Sequence, residues 1–237
     1  MDAPPFLIDM FEKELIEYLE NFVSARRAKL FDKVLSNRTK YITVVLEDIY
    51  QPHNASAVLR TCECFGVQEV NIIENSNEYN VNPDVALGSD KWLTINKFNK
   101  STDNTPEALR YLREKGYRII ATSPHKGDEL NLETFDIAKG KLALVFGTEM
   151  HGLSKQAIDQ ADEYLKIPLL GFTESFNISV SAAIIIHQLI KKLHESHIPW
   201  QLSEEEKIPI KLSWLRKSIK KPELLEQKFL NMINGLK

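Results

Sequence analysis

The chain has 237 residues, 43% hydrophobic and 27% charged, with a net charge of −3 and two cysteines. That composition excludes a disordered chain, a collagen-like fibre and a disulfide-stapled secreted scaffold. The longest apolar runs, Leu142 to Phe146 and Ala182 to Ile186, are far shorter than the ~20 residues that span a bilayer. The N-terminus shows no basic or leader-like stretch, so a cytoplasmic globular protein without a membrane anchor is expected.

In chain order, residues 7–36 read as helical, with Leu7, Met10, Phe11, Leu15, Tyr18, Leu19 and Phe22 near helical spacing. Ile42 to Leu46 is a β-branched run that predicts a buried strand. Asn54 to Phe65 returns to helical spacing and stops at Gly66. Strands are predicted over Glu69–Ile73, Trp92–Phe98, Tyr117–Thr122, Lys141–Phe146 and Glu163–Pro168. Helices are predicted over Thr105–Lys115, Ser154–Asp162 and Ile178–Ser196. Alternation of this kind predicts an α/β fold with a mostly parallel sheet flanked by helices. The segment after Ile198, with Pro199, Glu204 to Glu206 and Pro209, reads as a linker, and a basic helical tail follows from Leu212. The expected organisation is an N-terminal helical, basic extension over 1–40, an α/β domain over 41–197, and a linker with a basic helical tail over 198–237.

Charge is uneven along the chain. Between Asn21 and Lys40, six basic residues, among them Arg26, Arg27 and Arg38, stand against Asp32 alone. Between Lys207 and Lys228, seven stand against Glu223 and Glu226. Two basic segments on an acidic chain point to a localised anionic partner or to two solvated helix faces.

Ligands of parallel sheets bind where strands end, so the loops after Leu46, Thr122, Phe146 and Pro168 carry the search for chemistry. There is no Gly-x-Gly-x-x-Gly, and Leu153 stands where a phosphate-binding loop needs lysine. Cys62 and Cys64 lack partners at metal-ligand spacing and read as a buried pair of thiols, and no metal is expected. No Gly-x-Ser-x-Gly elbow is present. Three loops remain. In Tyr50 to Arg60, Asn54 lies at a helix start and Arg60 follows six residues later, which alone reads as a cap and a surface arginine. In Phe146 to Ser154, Gly147 and Gly152 flank Glu149 at the end of a buried strand, a placement that packing does not explain. In Ile167 to Ser181, polar side chains crowd where helix capping needs only one.

These three segments resemble the three motifs of the SpoU family of knotted RNA 2′-O-methyltransferases, in the family's order and at its separations. Asn54 with Arg60, Gly147-x-Glu149-x-x-Gly152, and Ser175-x-Asn177-x-Ser179 after Ile167-Pro168 carry the likeness. It extends over residues 21 to about 195. Pro52-His53-Asn54, Gly88 to Trp92 and the basic segment with Arg27 and Arg38 are most similar to the tRNA guanosine-18 branch. Phe176 departs from that branch, which more often has leucine there, and the acidic helix before Asn21 looks like an addition.

The resemblance implies a C-terminal trefoil knot, S-adenosylmethionine as cofactor, and methyl transfer to the ribose 2′-hydroxyl of guanosine 18 in the tRNA D-loop. It implies cofactor contacts at Thr122, Gly147, Ile167 and Phe176, and catalytic residues Arg60, Asn54, Glu149, Ser175 and Asn177. Arg26, Arg27, Arg38 and Lys91 are the implied tRNA contacts. A homodimer is implied, with the active site near the subunit interface and the long helix from Asn177 packed against its copy. Two alternatives stand beside this reading: a 2′-O-methyltransferase of rRNA or another tRNA position, and a non-catalytic knotted RNA-binding protein.

Overall fold

The computed structural model describes residues 5–122, 130–149 and 151–235. It divides into two compact units, Thr39–Trp200 and Met1–Arg38 with Gln201–Lys237.

Among the described residues the larger unit is built on seven strands: β1 (Ile42–Glu47), β2 (Glu69–Ile73), β3 (Thr94–Phe98), β4 (Arg118–Thr122), β5 (Leu130–Asn131), β6 (Leu142–Phe146) and β7 (Glu163–Lys166). Their order is β3-β2-β1-β6-β4-β7-β5, and every pairing is parallel. All six residues of β1 and all five of β6 are buried. Period-two alternation sends Val44, Leu46, Leu142, Leu144 and Phe146 to one face and Val45, Ala143 and Val145 to the other. Helices α3 (Pro52–Cys64) and α7 (Ile178–Glu195) cover the first face, through Val58, Leu59, Ile185, Ile186 and Leu189. Helices α5 (Thr105–Glu114) and α6 (Lys155–Asp159) cover the second, through Ala108, Leu109, Leu112 and Ala157. Cover on both faces is why the central strands read as unbroken apolar runs.

Trp92 departs from the expected strand. It closes a 3-10 turn, Ser89–Trp92, that follows α4 (Pro83–Ala86), and β3 begins at Thr94. Leu87 and Gly88 both take left-handed backbone, with φ of 48° and 77°, and reverse the chain just before this turn. β5 was not anticipated, because two residues at a sheet edge carry no readable period. Cys64 is exposed and Cys62 buried, so the thiols do not form a buried pair. The loop after Thr122, singled out above, lies outside the described residues as far as residue 129.

The smaller unit joins the two ends of the chain. Its helices are α1 (Pro5–Glu20), α2 (Ala25–Leu35), α8 (Glu204–Ser218) and α9 (Pro222–Gly235). α8 packs against α1 and α2, with the Phe31 and Trp214 rings 5.6 Å apart, and Tyr18 meets Phe229 of α9 at 5.2 Å. The expected single helix over 7–36 is two, because Ser24 caps α2 by accepting from the Arg27 N–H at 3.3 Å. The expected linker is largely helix. Ser203 and Glu206 form a reciprocal capping box at 3.2 and 3.0 Å, and the acidic run occupies the first turn, where carboxylates suit the helix dipole. Pro209 lies inside α8. Arg38 is buried, 1% exposed, with its guanidinium 5.4 Å from the Trp214 ring centre. It therefore faces the interior of this unit and not an RNA surface, which corrects the expectation for Arg38. No helix among the described residues is long and apolar enough to cross a membrane.

Candidate active site

The site is assembled where β1 and β6 end. Glu47, the last residue of β1, is buried, and a buried carboxylate must find donors. Its Oε1 accepts from Thr105 Oγ1 and Ser154 Oγ, both at 2.7 Å, and its Oε2 accepts from the Ser154 N–H at 2.8 Å. Ser154 in turn caps α6. Asp48 follows in left-handed backbone, φ 54°, a conformation that aspartate tolerates better than most residues. One of its carboxylate oxygens accepts from the N–H groups of Asn75, Ser76 and Asn77 at 3.0, 2.7 and 2.8 Å. These bonds pin the loop after β2 to the loop after β1. Glu74, at the root of that loop, is held by Lys97 at 3.0 Å and Asn99 at 3.0 Å. Burial opposes its charged form, but the bonds from Lys97, Asn99 and the Tyr79 N–H outweigh burial and hold its carboxyl below the ordinary range.

Asn54 is not the cap of α3, as the sequence had suggested. Pro52 fixes the start of the helix, Gln51 is its cap residue, and Asn54 is buried within the first turn. Its Nδ2 donates to Gln51 Oε1 at 2.9 Å, and its Oδ1 accepts from Asn177 Nδ2 at 3.3 Å. Asn177 Nδ2 also donates to Glu149 Oε1. Asn177 Oδ1 caps α7, accepting from the Ser179 N–H at 2.9 Å and from Ser179 Oγ at 2.5 Å. The Glu149 loop closes on itself through two hydrogen bonds of 2.9 Å between the backbones of Thr148 and Gly152. A Cβ at position 147 would stand 2.2 to 2.5 Å from the backbone of Gly152 and Leu153. Glycine there is demanded by the loop's own closure.

The structure thus brings Asn54, Glu149 and Asn177 together from three loops. Residues 167–177 make this possible, because β4 separates β7 from β6 in the sheet and the segment crosses past it. Ser175 stands apart and lines a groove with Thr122, Ile167, Phe176 and Glu174, while Gly147 is not among its lining residues. The groove holds about 70 Å³. Its apolar faces suit an adenosine ring, the Ser175 hydroxyl offers a polar contact, and Glu174 offers a carboxylate to a cationic sulfonium. Arg60 is exposed. Six residues beyond Asn54 it lies about a third of a turn away and roughly 9 Å along the axis, on another face of α3. Arg26, Arg27 and Lys91 are exposed. Among the described residues no group of His, Cys, Asp and Glu is placed to hold a metal. Glu47 and Asp48 went unnoticed in the sequence; the available signal was two consecutive acids closing the β-branched run Ile42 to Leu46.

The sequence profile of the SpoU rRNA Methylase family matches residues 41–187. The chain is 42% identical over 220 residues to the tRNA (guanosine(18)-2′-O)-methyltransferase of Borreliella burgdorferi, covering 93% of this chain and 96% of that one. It is 35% identical to the protein of the same name from Thermus thermophilus, over 69% of this chain and 81% of the other. Among solved structures, the TrmH/SpoU tRNA modifying enzyme of A. aeolicus superimposes with a TM-score of 0.73 at 30% identity, covering 83% of this chain and 98% of that one. The three motif loops that meet at Asn177 fall at or inside the matched segment. The chain belongs to the SpoU methylase family.

Proposed function

We propose that the protein transfers a methyl group from S-adenosylmethionine to the ribose 2′-hydroxyl of guanosine 18 in the tRNA D-loop, in the cytoplasm. The observation that carries this reading is the Asn177 amide, which joins Asn54 and Glu149 and so links all three motif loops. The relatives named above support the choice of nucleotide. The route of residues 167–177 past β4 supports the trefoil knot that the resemblance implies.

When bound, the cofactor supplies an electrophilic methyl group on a sulfonium. Thr122, Ile167 and Phe176 hold it in the groove, and Gly147 shapes the loop beside them. Ser175 orients the ribose from the rim of the same groove. Asn54, Glu149 and Asn177 lock the loops so that donor and acceptor stay in line, and such placement lowers a barrier by several kcal/mol. A guanidinium holds its proton too firmly to be a good base, so Arg60 acts as a cation that stabilises the developing alkoxide. Exposed in its own chain, Arg60 serves the groove of a second copy in a homodimer. Phe172, Phe176 and Val180 are exposed beside and on the first turn of α7 and supply apolar surface for that contact. Arg26, Arg27 and Lys91 neutralise tRNA phosphates.

The test is incubation with unmodified total RNA and labelled S-adenosylmethionine, followed by mapping of the modified nucleotide. A 2′-O-methyl group on the D-loop guanosine is expected. A mark on rRNA alone overturns the substrate, and cofactor-independent RNA binding without transfer overturns the enzyme.

A further inference from the structure

On the side of the Asn54–Glu149–Asn177 network marked by the ends of β1, β2 and β6 lies a second hollow of about 720 Å³. It is ten times the described volume of the cofactor groove and shares no residue with it. Its volume falls among ordinary small-molecule sites and accommodates a whole nucleotide. Asn54 and Glu149 line it, so its occupant sits against the network that orders the reaction.

The chemistry of the walls selects the occupant. Glu47, Asp48 and Glu149 all reach the lining, which disfavours a phosphate. Glu47 is fully engaged by Thr105 and Ser154, and Glu149 is engaged by Asn177. Asp48 differs. Three N–H groups fill one of its oxygens, and the other has no donor among the described residues. Asn77 spends its Nδ2 on the Asp48 carbonyl at 3.0 Å, and its Oδ1 likewise has no donor among the described residues. The wall therefore offers two fixed acceptors and calls for a ligand edge with two donors. Tyr50, 75% exposed, lines the same hollow and offers a ring on which a base can stack.

We infer that this hollow is the site of the target base, a guanine whose N1–H and N2 amino group face Asp48 and Asn77 while its ring stacks on Tyr50. The inference rests on the methyltransferase reading and adds to it how the base is chosen. Adenine presents a lone pair at N1 where guanine presents N1–H, and that lone pair faces a carboxylate. The left-handed backbone of Asp48 is the local cost of aiming this acceptor into the hollow.

The test compares tRNA transcripts carrying guanosine or adenosine at position 18. Wild type is expected to prefer guanosine by at least about a hundredfold in kcat/KM. Asparagine also tolerates left-handed backbone and can accept the same three N–H groups, so Asp48→Asn keeps the loop and turns the second acceptor into a donor. It is expected to lower kcat/KM for guanosine at least about tenfold and to narrow the preference. Thermal stability and calorimetric affinity for S-adenosylmethionine should stay at wild-type values. Tyr50→Ala should lose activity and Tyr50→Phe retain it, a pair that decides the matter even if Asp48→Asn fails to fold. Wild type indifferent to the base, or both Asp48→Asn and Tyr50→Ala with wild-type kinetics, overturns the base site and leaves methyl transfer standing. Wild type that methylates no tRNA overturns the underlying reading and the base site with it.

Discussion

Asn177 and Asn54, 123 positions apart in the chain, share a hydrogen bond of 3.3 Å between Nδ2 and Oδ1. The same amide uses its nitrogen to reach Glu149 and its oxygen to cap α7. Bridge and cap can be separated. Asn177→Asp keeps an oxygen for the cap, since aspartate and asparagine cap equally well. It replaces the bridging donor with a carboxylate against Glu149. Methyl transfer should fall by at least ~100-fold, the scale of one lost electrostatic group, with little change in thermal midpoint. Asn177→Ala should lose the activity and about 1 kcal/mol of stability as well. Thermal unfolding beside a tRNA methylation assay reads both.

Gly147→Ala places a methyl group 2.2 to 2.5 Å from backbone atoms that cannot swing aside. The loop must open, and the Thr148–Gly152 bonds open with it. Overpacking of this kind costs typically 1–3 kcal/mol. A lower thermal midpoint and loss of transfer are expected together. Gly171→Ala meets no atom within 4 Å and serves as the control, with wild-type stability.

The fold was legible where burial is two-sided. Val44 to Leu46 and Leu142 to Phe146 are apolar without interruption because helices cover both faces of the sheet. The smaller unit was misread at its joints. A break at Ser24 and a helix start at Ser203 depend on single caps, and an acidic first turn looks like a solvated linker. At the site, Glu149 stood out because packing does not explain a glycine-flanked carboxylate at a strand's end, and Asn177 because polar side chains crowd where capping needs only one; Asn54 taken alone read as an ordinary helix cap, and the resemblance singled it out. Glu47 and Asp48 did not stand out, because their partners, Ser154 and the Asn75–Asn77 backbone, are distant in the chain. Arg38 was misplaced for a related reason. A basic cluster in sequence does not reveal which member has an aromatic ring waiting for it 176 residues later.

That difference predicts a division within the cluster. Arg26→Ala with Arg27→Ala removes two exposed cations and should raise the tRNA concentration needed for half-maximal rate, with unchanged stability. It should also flatten the dependence of binding on salt, by about one unit of slope for each phosphate no longer neutralised. Arg38→Ala should act through stability instead, lowering the unfolding free energy by about 1–3 kcal/mol, because it removes a buried guanidinium that packs over the Trp214 ring. Urea unfolding and filter binding at two salt concentrations separate the effects.

Glu74 predicts a pH dependence. Its carboxyl is held below the usual range, with the bonds from Lys97, Asn99 and Tyr79 outweighing burial. A lowered folded-state value means stability that is present above the ordinary carboxylate range and lost as pH falls through the lowered value. Lys97 is partly exposed, so its share is at most about 1 kcal/mol. Lys97→Met should therefore be less stable than wild type at neutral pH by up to that amount. The gap should close as pH falls from neutral through the lowered carboxylate range, where Glu74 takes up its proton. Urea midpoints across this range give the comparison directly.

The exposed position of Arg60 predicts complementation between inactive chains. Arg60→Ala should retain S-adenosylmethionine binding and lose transfer by at least ~100-fold. Asn177→Ala should be inactive for a different reason, the loss of its own loop network. If each site takes Arg60 from one copy and the loops from the other, a mixed dimer contains one site with both defects and one with neither. Equal amounts of the two variants, exchanged through mild denaturant and returned to native buffer, give mixed dimers in about half the population. With one intact site in each, activity should recover to about a quarter of wild type. Sites completed within a single chain would leave the mixture inactive, since every site would then carry one defect. Light scattering on the same samples supplies the second reading. A particle of two chains is expected, and substituting Val180→Asp on the exposed flank of α7 should shift it toward one chain and abolish transfer.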